Sequence, residues 1–386
     1  MSKSIELLEC TFVVMVLAVN GGSTDVFAGA VPYQFAAGYV WRDTDGNPID
    51  AHGGCVLFHD GLYYWYGEAR TGSTSLPECN KSWGGTHVDT AGVSCYSSTN
   101  LYVWKNEGLA LSAAAGVPGD LNSSNVVERP KVVYNRNSKR FVMWMHIDSA
   151  DYREARLGVA VSGRPVGPYK YLGSFRPDAA VWPVNATDAD KVPDKENYLA
   201  RDFQGGQMAR DMTVFVDDDG KAYIFYASEE NSTMHVSLLA DDFLRTVGKY
   251  SRILVGRSCE APAVFKHNGK YYLITSGCTG WDPNTAHSAV ADSIFGPWKE
   301  LGNPCIGPNA DKTFSGQSSF VLPVPGSNTF IFIADRWNKW DLADSRYLWL
   351  PLEFDGNDKP VVFWRYNWSL SVAKIADMNR NTSLDP

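Results

Sequence analysis

Polar side chains stand at equivalent positions in five repeats of this sequence, and three of them are carboxylic acids. In chain order they are His52, Glu128, Asp211, Glu260 and Gln317. A lone acid at the start of a strand is usually a turn cap, but three in the same register favour a shared site. Two carboxyl groups in one pocket can break a glycosidic bond, because one protonates the leaving oxygen while the other assists attack at the anomeric carbon. Crowding of like charges would keep one of them protonated near neutral pH.

The repeats that carry these residues each consist of two apolar runs joined by a turn. They cover residues 52–68, 128–148, 209–229, 259–277 and 316–337. Three of the turns contain dipeptides typical of hairpins, namely Asp60-Gly61, Asp219-Gly220 and Asn268-Gly269. After each repeat the chain continues in a further strand-like segment that closes on a bend. Counted with the two runs of the repeat, this gives about four strands per unit.

Five four-stranded units predict an all-β fold, a five-bladed β-propeller, because blades packed around an axis leave only short, protected edges. The first strand of each unit would then lie innermost, so the five polar residues would converge on the axis. The insertions at residues 72–90 and 178–207 are predicted to be surface loops at the faces of the disc.

The composition favours a neutral ligand. The 386 residues are 44% hydrophobic and 20% charged, which is enough apolar material for a large core. A net charge of -8 argues against nucleic acid and anionic membranes as partners, since both require clustered Lys and Arg. Aromatic residues make up 13% of the chain, and their rings can stack on sugars, although propeller cores also use them.

The first thirty residues resemble a targeting segment. Lys3 precedes an apolar run at residues 10–19, and small residues at 28–30 offer a cleavage site. We predict a signal peptide at residues 1–30, secretion to the extracellular space, and a single catalytic domain at residues 31–386. The apolar run is too short to cross a bilayer, so no membrane partner is expected.

Cysteines and sequons fit a secreted glycoprotein. Removal of Cys10 with the signal peptide leaves an even number of cysteines, namely Cys55, Cys79, Cys95, Cys259, Cys278 and Cys305. We predict disulfides that join Cys55 or Cys79 to Cys95, and Cys259 to Cys278 or Cys305. No cysteine spacing resembles a zinc site. Sequons for N-glycosylation begin at Asn80, Asn122, Asn185, Asn231, Asn367 and Asn381.

Short motifs at the repeat starts are similar to those of a known family. They are H-G-G at His52, E-R-P-K at Glu128, R-D-M at Arg210, E-A-P at Glu260 and S-G-Q-S around Gln317. Together they resemble glycoside hydrolase family 43, in particular its exo-β-1,3-galactanase branch, over residues 35–370. The resemblance implies a five-bladed propeller enzyme that inverts the anomeric centre and needs no metal or cofactor. It also implies that Glu260 is the general acid and that Asp211 orients it and tunes its pKa.

The resemblance leaves the general base open. Most of the wider family has an Asp at the start of blade one, where this chain has His52. Glu128 is a carboxylate of ordinary basicity, whereas Gln317 accepts a proton only as an imidic-acid tautomer. The galactanase branch resembles a case in which the Gln317 position contacts the water and the Glu128 position binds sugar hydroxyls. His52 is a third option, but the adjoining Gly53-Gly54 pair indicates a close backbone approach and a structural histidine.

The same resemblance nominates residues that would bind the terminal galactose. They are Glu68, Tyr152, Asn231, Thr279 and Trp281, together with His52. Asn231 also begins a sequon, and a glycan there would exclude a buried role in sugar binding.

The sequence thus predicts an exo-acting, inverting hydrolase of β-1,3-galactan, as found in arabinogalactan-protein side chains, and it predicts a monomer. The polysaccharide is the expected partner, bound without a separate carbohydrate-binding module. One alternative is an α-L-arabinofuranosidase or β-xylosidase of the wider family, which His52 in place of Asp disfavours. Another is a sugar-binding propeller without turnover, which the retention of both Glu260 and Asp211 disfavours.

Overall fold

β-Strands make up nearly all the regular structure of the computed structural model, which describes residues 33–76, 86–114 and 119–370. The strands in chain order are β1 (Phe35–Ala36), β2 (His52–His59), β3 (Leu62–Ser75), β4 (His87–Ser98), β5 (Lys105–Ser112), β6 (Val126–Asn135), β7 (Arg140–Asp148), β8 (Arg156–Ser162), β9 (Lys170–Phe175), β10 (Met212–Val216), β11 (Ala222–Ser228), β12 (Thr233–Leu239), β13 (Thr246–Ile253), β14 (Cys259–His267), β15 (Lys270–Gly277), β16 (His287–Ala291), β17 (Lys299–Gly302), β18 (Cys305–Ile306), β19 (Gln317–Pro323), β20 (Phe330–Arg336), β21 (Arg346–Phe354), β22 (Pro360–Phe363) and β23 (Asn367–Trp368). The helical segments are α1 (Tyr198–Arg201) and 3-10 turns at Ala189–Lys191, Ala310–Ser315 and Leu342–Asp344.

Several predictions fall outside the described residues. They concern the signal peptide at 1–30, the cysteine at position 79 and the sequons at positions 80 and 381. Within the described part of the chain, no helix combines the length and the apolar composition that crossing a membrane requires.

Consecutive antiparallel strands form five sheets. Four of them are β2–β5, β6–β9, β10–β13 and β14–β17, and the fifth contains β19–β22 with β18 added in parallel to β22. The innermost strands β2, β6, β10, β14 and β19 contact one another in cyclic order, and β19 meets β2 to close the ring. The predicted five-bladed β-propeller is confirmed.

The inner hairpins follow the predicted turn chemistry. Asp60 and Gly61 both have positive φ, and so do Asn268 and Gly269, as tight hairpin turns of the I′ type require. All five inner strands run from the same face of the disc. The polar residues at or near the starts of these strands therefore lie at one face, and the hairpin turns lie at the other.

Four inner strands carry a β-bulge next to the polar residue. In β14 the register shifts by one residue between Glu260 and Ala263. Equivalent shifts follow His52 in β2, Glu128 in β6 and Ser318 in β19. The residue after the polar one has a positive φ in three of these strands, at Gly53, Arg129 and Ala261. Bulges of this kind re-aim side chains, and the sequence analysis did not anticipate them.

An aromatic cluster fills the space between blades one and five. Trp65 and Trp104 of blade one pack with Trp349 of blade five. Phe35 of β1 and Trp368 of β23 belong to the same cluster. In the β1–β23 pair, Phe35 lies opposite Trp368, and the indole of Trp368 donates a hydrogen bond to the carbonyl oxygen of Trp349 at 2.7 Å. The cluster thereby joins the first and last strands.

The predicted disulfides are wrong for the described cysteines, all five of which are free thiols. Cys55 and Cys95 pair with Tyr66 from opposite sides of β3, so about 10 Å separates them, which is too far for an S–S bond. Cys259 lies opposite Gly277 in the sheet, whereas the Cys278 thiol donates to the carbonyl oxygen of Ser258 at 3.2 Å. Cys305 belongs to a different sheet, in blade five.

The first predicted loop is partly regular structure. β3 continues to Ser75 and β4 begins at His87, because cross-strand pairing persists beyond the propeller face. The second insertion, at residues 178–207, contains α1 and one 3-10 turn and is otherwise irregular, as expected.

Candidate active site

A cavity of about 280 Å³ opens where the inner strands begin. Most of the residues predicted from the sequence line it, namely Glu68, Glu128, Tyr152, Asp211, Asn231, Glu260, Trp281 and Gln317. Its wall also contains residues that the sequence analysis missed, namely Arg129, His146, Arg210, Cys278, Gly280 and Trp337. The fold therefore brings the carboxylic acids of blades one to four and the amide of blade five to a single site.

His52 and Thr279 are not part of the cavity wall. His52 is 1% exposed, its Nδ1 lies 3.3 Å from Asp335 Oδ1, and its ring stacks on Tyr347. A side chain at Gly53 would place Cβ 2.2 Å from a carboxylate oxygen of Glu68, so the predicted close approach is present. The Thr279 hydroxyl donates to a backbone carbonyl of its own loop. Sugar binding by either residue stays a prediction, and the predicted structural role of His52 fits this geometry.

Glu260 is set up to hold a proton. Burial and, next, the negative charge of Asp211 raise its pKa to about 8, although the nearby Arg129 cation opposes the shift. The amide Nε2 of Gln317 donates to Glu260 Oε1 at 2.9 Å. A carboxyl group with this pKa is protonated at neutral pH and can act as a general acid.

Asp211 acts on Glu260 through the backbone. Its Oδ2 accepts a hydrogen bond from the backbone N–H of Ala261 at 3.0 Å and lies 2.9 Å from Nη2 of Arg129. Ala261 is the left-handed residue of the β14 bulge, so this hydrogen bond holds the bulge that aims Glu260 at the cavity. Asp211 therefore both orients the acid and raises its pKa.

The amide of Gln317 makes all the hydrogen bonds that it can. Its Oε1 accepts from Arg129 Nη2 at 2.6 Å and from the indole of Trp337 at 2.7 Å. Its Nε2 donates to Glu260 and to the hydroxyl of Ser276 at 3.0 Å. Arginine and tryptophan side chains only donate, so the orientation of the amide is fixed.

Glu128 is held as a carboxylate by a buried histidine. The Tyr152 hydroxyl donates to Glu128 Oε1 at 2.7 Å, and His146 Nδ1 lies 3.4 Å from Oε2. Burial alone would lower the pKa of His146, but the hydrogen bond to Asp148 and the nearby Glu128 carboxylate raise it to about 9, which favours the imidazolium form. Burial likewise opposes ionisation of Glu128, yet the nearby His146 and the hydrogen bond from Tyr152 bring its pKa below the usual value.

Glu68 lies beside Glu128 and is bound by two arginines. Its Oε2 accepts from Arg70 Nη2 at 2.8 Å, and its Oε1 accepts from the backbone N–H of Arg129 at 3.1 Å. Burial raises the pKa of Glu68 despite the Arg70 charge. Arg70 in turn lies over the ring of Trp337, with 4.6 Å to the centroid.

Three of these residues offer donor atoms close enough for a metal ion. Single atoms of Glu128, His146 and Asp211 all lie within 4.8 Å of one another. The raised pKa of His146 favours the imidazolium form, which has no ring lone pair to offer a metal, and the Arg129 guanidinium adds a second positive charge, so the set is unfavourable for a cation. The carboxylates are balanced by protein cations.

Asn231 faces the cavity from a strained turn. Residues 229, 230 and 231 all have positive φ, and Glu229 fixes the turn by accepting from Arg252 Nε and Nη2 at 2.7 and 2.8 Å and from His235 at 2.8 Å. Although burial opposes it, hydrogen bonds from His235 and Arg252 lower the pKa of Glu229 to about 2. Among the described residues no donor reaches the buried Oδ1 of Asn231. A glycan on Asn231 would fill the cavity, so the geometry favours the sugar-binding interpretation over the sequon.

Known proteins share this architecture and sequence. The sequence pattern of Glycosyl hydrolases family 43 matches residues 198–341. A family-43 β-1,3-galactosidase solved with galactodeoxynojirimycin is 46% identical, and the match covers 87% of this chain and 100% of that one with a TM-score of 0.80. An exo-β-1,3-galactanase from Phanerochaete chrysosporium, solved with β-1,3-galactotriose, is 34% identical over 88% of this chain and 69% of that one, with a TM-score of 0.72.

A curated relative is more distant. The β-D-galactofuranosidase of Aspergillus niger is 28% identical over 196 residues, which are 49% of this chain. The match spans 50% of that protein.

Proposed function

Because the chain belongs to glycoside hydrolase family 43, we propose that it removes galactose from the end of β-1,3-galactan chains with inversion at the anomeric carbon. The observation that carries the proposal is a cavity that joins a protonated Glu260 to ionised carboxylates. Glycoside hydrolysis needs both forms at once, whereas a binding site without turnover does not. The galactan itself is proposed from the similar proteins, a β-1,3-galactosidase and an exo-β-1,3-galactanase.

The size of the cavity supports cleavage at a chain end. Its volume of about 280 Å³ lies at the small end of ligand pockets, so it holds one sugar residue. Glu68, Glu128 and Asn231 present oxygen atoms to that residue, and Trp281 and Trp337 present rings. A terminal galactose would enter this cavity while the rest of the polysaccharide stays outside.

The raised pKa of Glu260 supports the role of general acid. Glu260 gives its proton to the glycosidic oxygen as the bond to the anomeric carbon breaks. Arg129 stays paired with Asp211 and holds Gln317 beside the acid. When Glu260 becomes an anion, the hydrogen bond from Gln317 Nε2 stabilises it.

Two residues, Glu128 and Gln317, are candidates for activating the water, and the contacts of each support the role in a different way. The lowered pKa of Glu128 favours the carboxylate, and among the described residues Tyr152 and His146 are its close polar contacts, so lone pairs remain for a water. Gln317 donates directly to Glu260, so an imidic acid could form by passing its Nε2 proton to the spent acid. In that route the amide oxygen must exchange its bonds to Arg129 and Trp337 for the proton of water.

A substrate panel with anomer analysis tests the function. Purified protein is incubated with β-1,3-galactan and with aryl arabinofuranoside, xyloside and galactofuranoside, the last because of the galactofuranosidase relative. We expect galactose from the galactan, and NMR should show the α-anomer first. Release of β-galactose first, or turnover only of a furanoside or xyloside, would contradict the proposal.

Variants test the roles of the residues. We expect Glu260→Gln to lower kcat on the galactan at least about a hundredfold, because the general acid is lost. Asp60→Asn, in an exposed turn at the opposite face, is the matched control and should keep normal turnover. Glu128→Gln abolishes an anionic base, and Gln317→Glu replaces the amide with a carboxylate. The variant of the residue that activates water should show the larger decrease in kcat of the two.

A further inference from the structure

Trp340 differs from the other tryptophans of the described residues, because it alone has an exposed side chain, at 67%. It lies in the loop of residues 337–345 that joins β20 to β21. The same loop begins with Trp337, which lines the cavity. A large apolar ring left in water beside a ligand cavity is a candidate contact surface.

The loop holds Trp340 in a defined position. Lys339 Nζ lies 2.7 Å from Asp282 Oδ1, which ties the loop to blade four. The backbone N–H of Leu342 donates to the Thr74 hydroxyl, and Arg70 donates to the Leu342 carbonyl oxygen, both at 2.9 Å. The Leu342 side chain is buried. These contacts hold the loop on both sides of Trp340, so little backbone entropy is lost when a ligand covers the ring.

The loop that carries Trp340 begins in the cavity wall at Trp337 and is bound to blade four through Lys339 and Asp282, on the side from which the leaving group departs. Glu260 must reach the glycosidic oxygen, so the leaving part of the substrate lies on the side of blade four, which carries Glu260. Trp340 belongs to blade five, and its neighbour Lys339 binds Asp282, the residue after the cavity-lining Trp281.

One face of the indole remains available. Lys339 Nζ lies 5.4 Å from the centroid of the Trp340 ring and covers one side of it. The other side faces water and matches the apolar C–H face of a pyranose, which stacks on aromatic rings without any charge.

We propose that Trp340 is the stacking surface for a galactosyl residue on the leaving-group side of the cleaved bond. The inference rests on the proposed galactan function. It makes Trp340 a determinant of preference for chains over small galactosides, because only a substrate that extends beyond the cavity reaches this ring.

The test compares a chain substrate with one that has no sugar leaving group. For Trp340→Ala, kcat/KM is measured on β-1,3-galactotriose and on β-D-galactosyl fluoride. We expect the ratio of the two values to fall about tenfold, mainly through KM on the galactotriose. Trp340→Phe keeps a stacking ring and should restore most of the ratio.

Controls separate the possible failures. Phe58→Ala removes an exposed ring at the opposite face and should leave the ratio unchanged. An unchanged ratio in Trp340→Ala, or an equal loss on both substrates, would overturn the inference, the second outcome because it indicates a structural role. Wild-type protein that releases no galactose from galactotriose would instead overturn the proposed function, and this inference with it.

Discussion

Glu260, the proposed general acid, owes its raised pKa to burial first and to the charge of Asp211 second. Asp211→Asn removes that charge but keeps the shape and an oxygen that can accept from Ala261. The pKa of Glu260 should therefore fall below about 8, and the alkaline limb of kcat/KM, where the acid loses its proton, should move to lower pH. The measurement is a pH profile on β-1,3-galactan for wild type and variant.

An unshifted limb in Asp211→Asn would show that Asp211 does not tune the acid. Asp60→Asn removes an exposed carboxylate at the opposite face and should leave the limb where it is in the wild type. We also expect a lower kcat in Asp211→Asn, because the ion pair to Arg129 is lost.

Sequence reasoning found the acids of the site but missed the cations that balance them. Arg129 follows Glu128 directly, and strand alternation would point it away from the cavity. The bulge turns it inward, with φ at 56°. His146 lies opposite Glu128 in the β6–β7 hairpin, so counting back from the turn would have identified it. His52 occupies the predicted repeat position, but its side chain contacts Asp335 and does not line the cavity.

At the scale of elements, the turn of residues 229–231 depends on a buried ion pair. Arg252→Met leaves the Glu229 carboxylate with only His235, and we expect the free energy of unfolding to fall by about 3 kcal/mol. The turn also presents Asn231, so KM on the galactan should rise. Urea unfolding and steady-state kinetics measure the two effects.

A double-variant cycle identifies the cause. Arg252→Met combined with Glu229→Met removes both charges. The double variant should lose less free energy of unfolding than the two single variants lose in total. Arg257→Met breaks an exposed pair with Glu300 and should cost less than about 1 kcal/mol. If Arg252→Met costs no more than Arg257→Met, the ion pair does not hold the turn.

The inner hairpins were predictable because their signal is local. Alternating apolar runs and Asp-Gly or Asn-Gly turns specify register over about twenty residues. The bulges at Gly53, Arg129 and Ala261 depend on contacts from other blades, such as the hydrogen bond from the Ala261 N–H to Asp211. A local sequence pattern therefore does not predict them. The disulfide prediction failed for a different reason, because Cys55 on β2 and Cys95 on β4 belong to one blade but are separated by β3.

At the scale of the molecule, the ring is joined by the aromatic cluster between blades one and five. Trp368→Ala removes a ring that packs on Phe35 and bonds to Trp349, so we expect a loss of about 3 kcal/mol in the free energy of unfolding. Urea denaturation reports it. Tyr366→Ala is the control, because that side chain is 68% exposed and should change the stability little.

The blade count followed from the repeats alone, whereas the junction did not. Five similar units predict five blades, but nothing in the repeats shows that Phe35 meets Trp368 across more than three hundred residues. If Trp368→Ala and Tyr366→Ala have the same free energy of unfolding, contacts between the blades close the ring without a contribution from Trp368.

The antiparallel pairing of Phe35 with Trp368 means that the chain enters and leaves the propeller at one place. A ring whose ends meet has no obligatory first blade. A short linker across that junction would allow the polypeptide to be opened elsewhere, for example between Asp60 and Gly61, on the face away from the cavity. Blade one would then be assembled from both new ends, in a circular permutant whose catalytic face is untouched.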